Sequence, residues 1–247
     1  MVHSTIFIIL VSAMNGSRAA KAAALAAATA HLLSLSLHDT GNQLMYQDEA
    51  GYGVLHLLAW WFSACEQAAS FLSLVIERGR ESCGTTDLMS LTTNANRRTP
   101  LHCFAYSCSD LSLTKMVLRE HPPSLVALNN GGWTPLGFAK LNHGSTSEFA
   151  VFFRTTTTAY NTSNLVTLEA LCGSSPYLSR EIRRQTIALR AAVAICLNRQ
   201  EATPSGLSSV EAGVALSLLE RVRDFGRVGN SSDVLRRVLE YVGPQAN

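Results

Sequence analysis

His102 and Cys103 stand side by side, and Cys108 follows five positions on. An imidazole beside a thiol could support covalent catalysis, the base drawing off the proton so that a thiolate attacks an electrophilic centre. That chemistry needs the two side chains to face each other and a third group to orient the base. Neighbouring residues on a helix point in different directions, so adjacency alone argues against it. Cys103 and Cys108 are separated by four residues, yet no second pair completes a zinc set. The other cysteines, Cys65, Cys83, Cys172 and Cys196, are scattered. They read as buried thiols in a reducing compartment. All seven histidines lie at or before His143, which leaves the C-terminal part without an imidazole for proton transfer. The phosphate-binding, nucleophile-elbow, zinc-protease and dinucleotide signatures are all absent. No catalytic residue, metal ligand or cofactor is expected.

Composition sets the frame that must position these side chains. The chain has 247 residues, 47% apolar and only 15% charged, so it can bury a sizeable core. Net charge is +2, and residues 1–158 balance 10 Lys/Arg against 10 Asp/Glu. No basic patch points to a nucleic acid or an anionic membrane. The apolar run Thr5–Ala13 is too short to span a bilayer. It can be read as a signal segment or as a first helix, and the lack of a preceding basic residue favours the helix. The compartment expected is then the cytosol or the nucleus.

Self-similarity organises the middle of the chain. DEAGYGVLHLLA (48–59), NANRRTPLHCFA (94–105) and NNGGWTPLGFA (129–139) align without gaps. Asp48, Asn94 and Asn129 are turn starters. Thr99 and Thr134 suit helix caps, with Pro100 and Pro135 in the first turn where no N–H is needed. Ala59, Ala105 and Ala139 let neighbouring helices approach closely. The pattern resembles the ankyrin repeat: Thr99-Pro100-Leu101-His102 carries the family's tetrapeptide in full, Thr134-Pro135-Leu136 carries three of its four residues, and the first copy keeps Leu55-His56. The resemblance implies a structural His at 56 and 102, bonded to backbone and to the Thr hydroxyl and tying one turn to the next. Gly137 replaces it in the third copy.

The fold expected is an all-α ankyrin-repeat solenoid with short hairpin tips, about four to five imperfect repeats in all, with the array over 1–158 and a degenerate repeat and helical C-terminal cap over 159–247. Thr5–Ala13 would be the first inner helix and Arg18–Leu37 its outer partner. The spacing from Gly53 to Thr99 is long, and the excess falls in RGRESCGTTD (78–87), expected as a loop. EFAVFFRTT reads as the third outer helix and TTTTAYNTSN (155–164) as a linker. Further helices are expected over 165–173, 177–198, 209–226 and 232–243, the last closing the stack.

What remains for function is surface. In the family the tips and inner helices form one concave recognition face. By position the tips here offer Tyr52, Arg97, Arg98 and Trp133, and the inner helices offer Leu57, Trp60, Trp61, Cys103, Tyr106 and Phe138. Trp, Tyr and Arg dominate interface energies. The expectation is a monomeric, non-enzymatic module that binds a partner protein. An alternative is an adaptor whose C-terminal helices recruit a second protein, such as a modifying enzyme.

Overall fold

The computed structural model describes residues 4–187, and among them every regular element is helical. The helices expected over 209–226 and 232–243, and the end of that over 177–198, lie outside the described residues. Four helix pairs follow one another. Helix α1 (Thr5–Ala13) pairs with α2 (Arg18–Ser34). After α3 (Leu37–Met45), α4 (Val54–Leu57) runs into a π-helical turn, Leu58–Phe62, and is followed by α5 (Ala68–Ser82). A short α6 (Thr85–Ser90) leads to the pair α7 (Pro100–Ser107) and α8 (Leu111–Glu120). A 3₁₀ turn, Pro122–Val126, precedes α9 (Pro135–His143) and α10 (Glu148–Asn161). Helices α1, α4, α7 and α9 pack side by side as an inner row, while α2, α5 and α8 form an outer row. One continuous apolar core runs from Ile6 to Leu178.

Local chemistry explains where the helices start. Ser4, Ser17, Ser36, Asp110, Thr134 and Ser147 each accept a backbone N–H of the first turn. Ser36 also ends the Ala-rich helix earlier than the composition suggested. The chain breaks after Ser34, and Ser36 caps the separate α3.

Three expectations are corrected. The segment 78–87 is not a loop: α5 continues to Ser82 and α6 follows at once. Its polar residues looked like loop chemistry but reach other helices. Arg78 donates to the Leu35 carbonyl at 2.7 Å, and Arg80 donates to Glu120 at 3.2 Å, with the Glu120 side chain 1% exposed. The Thr-rich run is not a linker either, since α10 continues to Asn161. Thr155, Thr156 and Thr158 hydroxyls donate to the carbonyls four residues back, and Thr156 and Ala159 are buried. Burial outweighs the low helix propensity of β-branched residues. The boundary drawn after residue 158 therefore falls inside a helix. Third, α11 (Leu165–Cys172) does not extend the inner row beside α9; it packs on α8 and α10. The helix that follows, over 176–187, buries Leu178, and Ser175 just before it donates to the Arg119 carbonyl at 2.6 Å.

Candidate functional site

Three turns precede α4, α7 and α9. Each is closed by a backbone pair: Asp48 N–H to the Tyr52 carbonyl (3.0 Å), Thr93 to Arg98 (3.1 Å) and Asn129 to Trp133 (3.1 Å). Asp48 Oδ1 accepts the Tyr52 N–H at 2.7 Å, and Asn129 Oδ1 accepts those of Gly131 and Trp133 at 2.9 Å. In the middle turn Thr93 Oγ1 takes this role, accepting the Arg98 N–H at 3.1 Å. Asn94 is thus not the turn starter that the gapless alignment implies. The middle turn holds one residue more, and Arg97 absorbs it in the left-handed region at φ 50°.

Asn94 links turns instead. Its backbone N–H and Nδ2 donate to the carbonyls of Ala50 and Glu49 in the preceding turn, at 2.9 and 2.8 Å. Asn130 repeats this onto Asn96 and Ala95, at 2.9 and 2.8 Å. The first contact is possible because position 51 is glycine: φ is +82°, and a Cβ there would lie 2.5 Å from the Asn94 nitrogen.

The histidines add a second tie from beneath. His56 Nδ1 accepts the Gly53 N–H at 3.2 Å, so Nε2 holds the proton and donates to the Arg98 carbonyl at 3.0 Å. His102 Nδ1 accepts from the Thr99 N–H (3.2 Å) and hydroxyl (2.8 Å), and Nε2 donates to the Trp133 carbonyl at 3.0 Å. Both rings are fully buried. Burial holds His56 well below an ordinary imidazole, at about 4, and lowers His102 in the same direction. His56 is therefore neutral near neutral pH. At the third copy Gly137 removes the ring, and the Trp133 indole lies over that position; a Cβ on Gly137 would meet its Cε3 at 2.8 Å.

Cys103 is no nucleophile. It is completely buried, and burial pushes its thiol up to about 12. Cys65, Cys83, Cys108 and Cys172 are likewise free thiols. Among the described residues no cluster of His, Cys, Asp or Glu could hold a metal ion, and no helix is long and apolar enough to cross a membrane.

The predicted recognition residues divide into two sets. Leu57, Cys103 and Phe138 are at most 5% exposed and belong to the core or its edge, because the inner helices pack closely at these positions. These three offer little contact surface of their own. Of the others, Tyr52, Trp61, Trp60, Tyr106 and Trp133 form a stripe across the inner row, joined between Tyr106 and Trp133 by the Phe138 ring. Tyr52 and Trp61 ring centroids are 6.3 Å apart, Trp61 and Trp60 6.3 Å, Trp60 and Tyr106 5.3 Å, Tyr106 and Phe138 5.7 Å, and Phe138 and Trp133 6.2 Å. Arg98 lies over this stripe, its guanidinium carbon 4.8 Å from the Phe138 centroid and 6.0 Å from that of Trp60. Arg97 is exposed, and Trp133 is 47% exposed although both its backbone groups are bonded. The π-helical turn, which no spacing in the sequence revealed, carries Trp60 and Trp61. Such turns are rare and concentrate at functional sites. No family model matches the chain, and neither a curated protein nor a solved structure gives a match.

Proposed function

We propose that this chain is an ankyrin-like solenoid acting as a non-enzymatic protein–protein interaction module, a monomer that binds a partner protein across the inner row and its turns. The observation that carries the reading is the stripe of Tyr52, Trp61, Trp60, Tyr106 and Trp133 with Arg98 among them, held on a frame whose turns are tied in the same way twice. The ankyrin-like assignment draws support from that repetition: His56 and His102 use the same ring nitrogens toward their own helix start and the next turn. A half-exposed indole on a fixed backbone is the kind of anchor that carries interface energy, since little entropy is lost on binding. The buried thiols and the depressed imidazoles leave the face without a nucleophile–base pair, which favours recognition over chemistry.

The test is affinity capture from a lysate with the wild type and a Trp61→Ala, Arg98→Ala, Trp133→Ala variant of equal helix content by circular dichroism. Proteins retained by the wild type and lost by the variant are expected. A captured set that is empty, or identical for both proteins, would contradict the reading.

A further inference from the structure

At Arg98 the stripe offers hydrogen-bond donors without an acceptor, and that imbalance has a chemical complement. We infer that Arg98 is the seat of a carboxylate, an Asp or Glu side chain on a partner segment lying across the aromatic stripe; this rests on the interaction reading above. Among the described residues the Arg98 guanidinium enters no ion pair, and its Nε is buried without a hydrogen-bond partner. The Trp60 Nε1–H is buried without a standard hydrogen bond as well, leaning only on the weakly accepting Cys103 thiol. Arg98 packs over the rings of Phe138 and Trp60. Ring packing of this kind orients a guanidinium while leaving its fork of N–H groups unspent.

Guanidinium and indole are donors only. Trp60 Nε1 and Arg98 Nε are sealed from solvent, so a partner group meets the terminal amino groups of Arg98; it is an acceptor only, and a planar carboxylate takes two parallel bonds from them. Exposed Arg97 beside it adds attraction for the same sign of charge. A lysine on the partner would meet two like charges, and a neutral amide would place an N–H donor against a donor. The flat surface of Trp133, beside Phe138, takes an apolar side chain next to the acid. The segment that fits is therefore acidic with an adjacent apolar or aromatic residue. A phosphate group shares the acceptor chemistry, but its third oxygen exceeds what one guanidinium fork supplies.

The test starts from a display library of short random peptides sorted on the full-length wild type. An enriched peptide is synthesised with its acids intact, with Asp→Asn and Glu→Gln replacements, and with phosphoserine at the acidic position. Binding is titrated against wild type, Arg98→Gln, Arg98→Lys and Trp133→Ala, each checked by thermal melting. The expected result is enrichment of acidic peptides, with a loss of about tenfold or more on neutralising the acid or on Arg98→Gln, and a partial loss with Arg98→Lys. Trp133→Ala weakens acidic and neutralised peptides alike. Peptides that need Trp133 but ignore both their own acids and Arg98 would overturn the carboxylate seat and leave the interaction reading standing. Phosphoserine binding at least tenfold tighter than the acid would overturn the carboxylate in favour of phosphate. No enriched peptide at all would overturn both readings.

Discussion

A single imidazole shows how much a residue's place decides. His102 sits beside a cysteine in the chain, and the pair could suggest a catalytic couple. In the fold its ring is sealed between Thr99 and the Trp133 carbonyl, and the neighbouring thiol is pushed up to about 12. His56 repeats the role and carries a pH consequence. Its folded value, about 4, lies below the ordinary 6.5, so the unfolded chain binds a proton more readily between those values. Stability is therefore fully present above about pH 6.5 and falls as the pH drops toward 4, with His56 contributing about 3 kcal/mol over that window. His102 acts in the same direction. Denaturant unfolding of the wild type and of His56→Gln across this range checks it. The variant should be less stable at neutral pH and should lose less on acidification; parallel curves would contradict the assignment.

At the scale of elements, turns were harder to read than helices. The Thr-Pro-Leu starts of α7 and α9 were legible because capping and the proline restriction act locally. The middle turn was misaligned by one position, because the residue count of a turn is settled by backbone pairing between Thr93 and Arg98, which leaves no mark in composition. The cost of the extra residue falls on Arg97, a side-chain-bearing residue at φ 50°. Arg97→Gly should relieve about 0.5–1 kcal/mol of strain net of its unfolded-state entropy, raising the denaturation midpoint at unchanged slope. A lower midpoint would show that the Arg97 side chain holds more than the strain costs. The segments 78–87 and 155–164 were misread for one shared reason. Both are polar, and their helicity depends on distant partners: Glu120 and Leu35 for the first, the core around Thr156 for the second.

At the scale of the molecule, the all-helical character of the described residues was legible, since helical periodicity and capping recur along the chain. The aromatic stripe was legible only as a list of aromatic residues and arginines at corresponding positions. Which of them face solvent was not, because Leu57, Cys103 and Phe138 share those positions and are buried, Phe138 among the side chains of Tyr106, Trp133 and Arg98. Nor did the sequence reveal the return of α11 onto α8, which follows from packing rather than repeat spacing. What makes the stripe a single surface is the coupling of successive turns through Asn94, Asn130, His56 and His102. Nuclear magnetic resonance of the imidazole nitrogens tests that coupling most directly, with His56→Gln and His102→Gln to assign the signals. The account predicts two rings with the proton on Nε2, exchanging slowly with water, His56 still neutral when the pH is brought moderately below 6.5 and His102 titrating below an ordinary imidazole. If both rings instead titrate near 6.5 with fast-exchanging protons, the turns are not tied as described and the continuous face does not exist.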